Sequence, residues 1–218
     1  MRNEDFVENL FKYPPVSAHQ KTIKYPKNTT IKMGRDKINN IGIVDRGCLK
    51  AVNYSKNGEA ICSTIFMEKG VVLEYLYLAG STLCTYNLVS LSDVTICWIP
   101  IEIFSTAINE NRQLSKLYID HLIQRGLENQ RLITCLSYKT IRERIAYWIL
   151  SKDNLEVNQE KIPDELYFPI SQEIFAEFLH VSRASLSHEL HKMQEEGYFK
   201  VKRKRFIAIN KEKMLEEI

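Results

Sequence analysis

The spacing of apolar positions changes character along the chain. From about residue 21 to residue 100 they come in short runs, TIKYP, TTIKM, NIGIVDRG, CLKAVNYS, EAICSTIFM, TYNLVSLS and VTICWIP, each bounded by Gly, Asn, Asp or Pro. Short β-branched and aromatic runs with such punctuation predict the strands of an antiparallel barrel or sandwich. Asn57-Gly58, between CLKAVNYS and EAICSTIFM, predicts a hairpin turn with two positive φ values that match strand twist. Ahead of the strands, ENLFKY predicts a short helix ended by Pro14 and Pro15.

From about Ile101 the period becomes helical. Leu114, Tyr118, Leu122, Arg125, Asn129, Leu132 and Leu136 follow one another at intervals of three and four and form one seam. Leu117, Ile119, Ile123, Leu127 and Ile133 supply a second apolar surface, more than a single partner can cover. One face is expected to lie on the barrel and the other to meet a second copy in a two-fold coiled coil. A second helix is expected over Ile141 to Leu150, then a polar loop, SKDNLEVNQEKIPDELY, leading to a strand, FPI.

The stretch Ser171 to Leu190, SQEIFAEFLHVSRASLSHEL, has the spacing of a helix-turn-helix. Ser171 fits an N-cap, since its hydroxyl can accept an orphan N–H of the first turn. Ala176 is small enough for two helices to cross closely, and Val181 fits the space between them. The turn needs a left-handed backbone, where glycine is usual. Here it falls on His180, a residue that tolerates positive φ at a cost of about 1 kcal/mol. Ser182 then caps a second helix whose Leu186, Leu190 and Met193 make a buried stripe, leaving Arg183, Ser185, Ser187, His188 and Lys192 outward. The second helix of such a motif enters the major groove with its N-terminal end foremost. Arg183 is the first choice for a base contact, because its planar fork can donate twice to one guanine. Ser171, Gln172, Ser182, Ser185, Ser187, His188 and Lys192 complete the expected DNA-contacting set. After Gly197, YFKVKRKRFIAIN reads as two strands around a basic bend. A basic run is ordinarily a solvated turn. Directly after a helix-turn-helix it fits a wing whose Lys202 and Lys204 meet phosphate.

Composition adds exclusions. With 218 residues and 44% hydrophobic content there is material for two modest domains. A net charge of +3 is too small to diagnose nucleic-acid binding except through its concentration in the wing. Cys48, Cys62, Cys84, Cys97 and Cys135 form no CxxC pair and the five histidines are scattered, so no metal site is expected. No segment approaches a membrane span and MRNEDFVENL does not resemble a secretory leader, which predicts a cytoplasmic protein. No nucleophile and base pair or phosphate-cradling glycine loop is visible, so no catalytic residue is assigned and no enzyme is expected.

RGCLKAVNYSKNGEAICSTIFMEKG, RERIAYWIL and ISQEIFAEFLHVSRASLSHEL together resemble the Crp–Fnr superfamily of bacterial transcription regulators. The resemblance covers nearly the whole chain. It implies an α+β protein with an N-terminal antiparallel β-barrel of cupin or jelly-roll type over 1–110, a long dimerisation helix over 111–136 and a winged helix-turn-helix over 137–218. It also implies a homodimer on double-stranded DNA that contacts RNA polymerase. The family's recognition string, Ser/Thr-Arg-Glu-Thr-Val-x-Arg, is here Ser182-Arg183-Ala184-Ser185-Leu186-Ser187-His188, which keeps the first arginine and loses the glutamate and the second arginine.

Members that bind cyclic nucleotides carry Gly-Glu followed by an arginine that neutralises the phosphate. This chain reads Gly70-Val71-Val72-Leu73-Glu74, with no lysine, arginine or histidine between Lys69 and Arg112. Glu74 would correspond to the ribose-binding glutamate, but a buried phosphate without a counter-charge is costly, so the usual cyclic-AMP mode is not expected. Iron–sulfur members have an N-terminal cysteine cluster, absent here, and haem would need a histidine between residues 20 and 120, also absent. No cofactor is assigned. Glu74, Tyr75, Cys84, Tyr86, Asn129 and Gln130 remain as a candidate pocket for a small neutral or cationic effector, against the alternative that the aromatic rings simply fill the barrel. A different class of function would be a small-molecule or redox-sensing module whose winged helix serves protein contacts.

Overall fold

Proline punctuation opens a helix where the sequence had suggested a stop. The computed structural model describes residues 3–54, 56–58, 60–151, 165–167, 171–202 and 205–218, which fall into two units, Met1–Arg125 and Gly126–Ile218. Helix α1 (Asn3–Lys12) ends before the prolines, but Pro14 and Pro15 then form the first turn of α2 (Pro14–His19). Proline's fixed φ suits that turn, and its missing N–H would have had no partner there.

The strands of the first unit pair into two antiparallel four-stranded sheets among the described residues, in keeping with the barrel or sandwich of cupin or jelly-roll type that was expected. One sheet runs in the order β1 (Lys21–Tyr25), β8 (Val94–Pro100), β3 (Asn40–Arg46), β6 (Val71–Val72). The other runs β2 (Thr30–Lys32), β7 (Asn87–Ser90), β4 (Leu49–Tyr54), β5 (Ala60–Phe66). Tyr54 pairs with Ala60, so five residues connect β4 to β5. Gly58 takes φ +80° while Asn57 does not turn positive, so this is not a two-residue Asn-Gly hairpin. Ser55 lies outside the described residues. Ile41, Ile43, Leu49, Leu88, Ile96 and Ile99 are fully buried, each contributing about 1.5–3 kcal/mol of burial. Phe6 and Leu10 of α1 join that core together with Phe104 of α4 (Ile101–Glu110).

Asn111 divides α4 from the long helix α5 (Arg112–Ser137). Its backbone is extended, and its side-chain oxygen accepts from the amides of Gln113 (3.0 Å) and Leu114 (3.1 Å). Leu114, Tyr118 and His121 of α5 are buried, whereas Ile119 is 56%, Ile123 53% and Ile133 71% exposed. The two surfaces foreseen for this helix therefore differ in burial. Leu122, placed in the inner seam, is exposed.

The second unit contains α6 (Ile141–Ser151), β9 (Glu165–Tyr167), α7 (Gln172–Phe178), α8 (Arg183–Glu195), β10 (Lys200–Lys202), β11 (Arg205–Ile207) and α9 (Lys211–Leu215). The observed third strand is ELY, paired antiparallel with β11; the expected FPI strand lies outside the described residues. Ile145, Phe175, Leu186, Leu190, Met193, Phe199 and Met214 are buried. Trp148 packs on Phe175 with ring centres 4.8 Å apart, and Phe199 meets Phe206 edge to face at 4.8 Å. Among the described residues no helix is long and apolar enough to cross a membrane.

Candidate nucleic-acid interface and effector pocket

The helix-turn-helix is built from local devices. The Ser171 hydroxyl accepts from the Ile174 amide at 3.4 Å and opens α7. The helix closes with the Val181 amide on the Ala176 carbonyl (2.9 Å) and the His180 amide on the Glu177 carbonyl (3.1 Å). That pair of bonds is a Schellman closure, which requires a left-handed residue between them, and His180 supplies it at φ +55°. Ser182 then caps α8, accepting from the Ser185 amide at 3.0 Å, with the two hydroxyls 2.8 Å apart. Leu186, Leu190 and Met193 seat α8 in the core.

The remaining surface of α8 is polar. Arg183, Ser185, Ser187, His188 and Lys192 are all exposed, as are Ser171 and Gln172 at the start of α7. The Ser182 and Ser185 hydroxyls are engaged with each other at the cap, so of the serines Ser187 has the hydroxyl least committed to local structure. Lys200, Lys202 and Arg205 are exposed on the paired strands β10 and β11. Lys204 falls outside the described residues.

Two arginines of α6, which the sequence analysis passed over, hold this motif. Arg144 donates to the carbonyls of Leu179 (2.8 Å), at the end of α7, and Tyr138 (2.9 Å). Arg142 donates through Nε to Glu189 of α8 at 2.7 Å and through both terminal nitrogens to Glu196 at 2.6 and 3.1 Å. It also lies 3.7 Å from Glu217 and over the Tyr198 ring. The hydrogen bond from Arg142 holds the Glu196 carboxyl below the usual range, and the same bond holds the Arg142 guanidinium more firmly protonated.

In the first unit, Glu74 opens α3 (Glu74–Leu78) immediately after Leu73, which is buried with a left-handed backbone at φ +75°. The Glu74 side chain is fully buried, and its Oε1 accepts a short hydrogen bond from Arg125 of α5. Arg125 also donates to the Val71 carbonyl at 2.9 Å and lies over the rings of Phe66 (5.2 Å) and Tyr75 (5.4 Å). His121 Nε2 is 3.8 Å from the same carboxylate oxygen. Glu74 Oε2 and the Tyr118 hydroxyl are buried and find no hydrogen-bond partner among the described residues. Burial raises the titration of Tyr118, Tyr86 and Cys84. Of the six candidate effector residues, Glu74, Cys84 and Tyr86 are buried and Tyr75 is 40% exposed. Asn129 and Gln130 are exposed on the part of α5 that belongs to the second unit. Glu74, read in the sequence as the counterpart of a ribose-binding glutamate, is here paired with an arginine from α5.

Residues 143–218 match the Crp-like helix-turn-helix domain. Over that span the chain carries a Crp-like helix-turn-helix domain. It is 24% identical over 210 residues to the global nitrogen regulator of Nostoc sp., covering 94% of this chain and 90% of that protein. Among solved structures it is similar to a CooA mutant from Carboxydothermus hydrogenoformans, with TM-score 0.73 at 18% identity over 96% of this chain and 93% of that one. FixK2 from Bradyrhizobium japonicum gives 0.70 at 14% identity over 90% and 96%.

The helix-turn-helix stands where the residue spacing had put it. Arg125, Arg142 and Arg144 were missed because their partners stand 51, 47 and 35 residues away, at Glu74, Glu189 and Leu179. The one available signal was that Arg125 places a charge in a seam whose other members are uncharged. Such an interruption commonly means a buried charge partner.

Proposed function

We propose that the chain is a homodimer that reads DNA by sequence through α8 and holds phosphate through the β10–β11 wing. The observation that carries the proposal is the division of α8 into a buried Leu186, Leu190 and Met193 stripe and an exposed face bearing Arg183, Ser187, His188 and Lys192. Arg183 reads bases, Ser171, Gln172, Ser182 and Ser185 meet the backbone, and Lys202 and Lys204 add affinity without sequence preference. The exposed Ile119, Leu122, Ile123 and Ile133 of α5 are the dimer stripe. On this proposal residues 1–110 sense, 111–136 dimerise and 137–218 bind DNA, in the cytoplasm, by binding and not by catalysis. RNA polymerase is the partner on DNA. A neutral or cationic effector fits the barrel better than a cyclic nucleotide, since Arg125 already neutralises Glu74 and contributes no spare charge for a phosphate.

Selection of bound duplexes from random DNA, followed by gel shifts at two salt concentrations, tests the proposal. Arg183→Ala is expected to lower affinity for the selected duplex at least about ten-fold. Lys202→Ala and Lys204→Ala should weaken all duplexes alike and each lower the salt slope by about 1. Unchanged affinity in every variant would refute it.

A further inference from the structure

Apolar packing decides which stripe of α8 faces the core, but it is non-directional and leaves the roll of the helix about its own axis loosely set. Roll matters for base reading. Side-chain tips stand about 5–6 Å from a helix axis, so a roll of about 20° carries them about 2 Å sideways, beyond what a bidentate hydrogen bond accepts. Something directional must therefore fix α8.

Glu189 of α8 and Glu196, its C-cap with helical backbone, are seven residues apart, two helical turns, and so lie on one flank beside the Leu186, Leu190 and Met193 stripe. Both are gripped by one guanidinium, that of Arg142 on α6, at 2.7 Å to Glu189 and at 2.6 and 3.1 Å to Glu196. The guanidinium is further restrained by the Tyr198 ring, whose centre lies 5.2 Å from its central carbon. Tyr198 is itself fixed through its hydroxyl to Glu217. A planar fork with both ends engaged resists rotation in a way that a lysine ammonium, a point charge on a flexible stem, does not.

We propose that Arg142 is the positioning residue that sets the roll of α8, and with it the base selectivity of this regulator, through its grip on Glu189 and Glu196. The proposal rests on α8 being the base-reading helix. Arg142 need not touch DNA for this; it acts through where Arg183, Ser187 and His188 point.

The test compares the duplex selected by the wild-type protein with single-base variants of it and with unrelated DNA, using full-length dimeric protein. Arg142→Met is expected to lower the ratio of selected to unrelated binding about ten-fold, with affinity for unrelated DNA and its salt slope unchanged. Arg142→Lys should not restore the ratio. Glu189→Met, which leaves the two bonds to Glu196 in place, should lower it about three-fold and keeps the test decisive if Arg142→Met does not fold. Equal losses on selected and unrelated DNA would assign Arg142 to fold stability alone and overturn the proposal, as would an unchanged ratio in Glu189→Met. If the wild-type protein selects no duplex, the base-reading role of α8 fails and this proposal with it. If the wild type is selective and the variants equally so, only this proposal fails.

Discussion

Each unit is organised around an arginine with carboxylate partners, and the two assemblies stand in different media. Arg125 meets one carboxylate, Glu74, whose side chain is wholly buried, and completes its shell with the Val71 carbonyl and two aromatic rings. Arg142 meets Glu189, Glu196 and Glu217, whose side chains are 19%, 36% and 24% exposed. Water can re-solvate the second set if the arginine leaves. It cannot reach Glu74 without opening the core. The first pair is therefore costly to break and of little net worth against an apolar replacement, while the second gives geometry at modest energy.

The largest expected effect comes from breaking the buried pair on one side only. Arg125→Met should cost about 3–5 kcal/mol in urea unfolding, because Glu74 is left as an uncompensated buried charge. Arg125→Met with Glu74→Leu should recover most of that loss. If the single variant unfolds no more easily than the wild type, Glu74 is less desolvated than its burial implies, and the contrast between the two units collapses.

The Arg142 assembly should be distinguished next by its response to acid. The Glu196 carboxyl titrates below its ordinary 4.5 in the fold, chiefly through its bond to Arg142. A lowered folded value means that the stabilisation is present above the unfolded value and drains away as pH falls through the folded one. Thermal unfolding of the wild type followed from pH 6 downward should therefore lose stability below about 4.5. Arg142→Met should lose correspondingly less over the same range. Parallel curves for the two proteins would mean that Arg142 does not govern this titration.

What was legible in the sequence divides along the same line. The helix-turn-helix could be read because its devices are local: two serine caps, a small residue at the crossing, and an apolar stripe at intervals of three and four. Even the unusual turn residue, His180, was placed by that spacing and permitted by its tolerance of positive φ. The strands were readable for the same reason, being short apolar runs between turn residues. What escaped was set by distant partners. Val71-Val72-Leu73 carries no alternation, so neither β6 nor the reversal at Leu73 left a mark, and a leucine at φ +75° runs against local preference by about 1 kcal/mol. The order of strands within each sheet depends on which strand edges meet, and that choice leaves no trace in the period of any single strand. Arg125 had the spacing of a seam residue and was counted as one, because helical period gives the face a residue occupies and not what waits there.

Lys69 and Glu8 bound the comparison from below. Their ion pair, at 2.8 Å, is nearly as short as the 2.6 and 2.7 Å pairs of Arg142, and the side chains are 36% and 54% exposed, so both ends stay in contact with water when the contact forms. The Glu8 carboxyl is nonetheless lowered, first by its hydrogen bond to Lys69 and then by that residue's charge. Lys69→Met should change urea unfolding by no more than about 1 kcal/mol. The difference should shrink further at about 1 M salt, where screening acts over about 3 Å. The Lys69 amide, held to the Val44 carbonyl at 2.7 Å, is untouched by the substitution, so any larger loss would have to come from the side chain. A loss comparable to that of Arg125→Met would show that distance alone ranks these ion pairs and that burial does not.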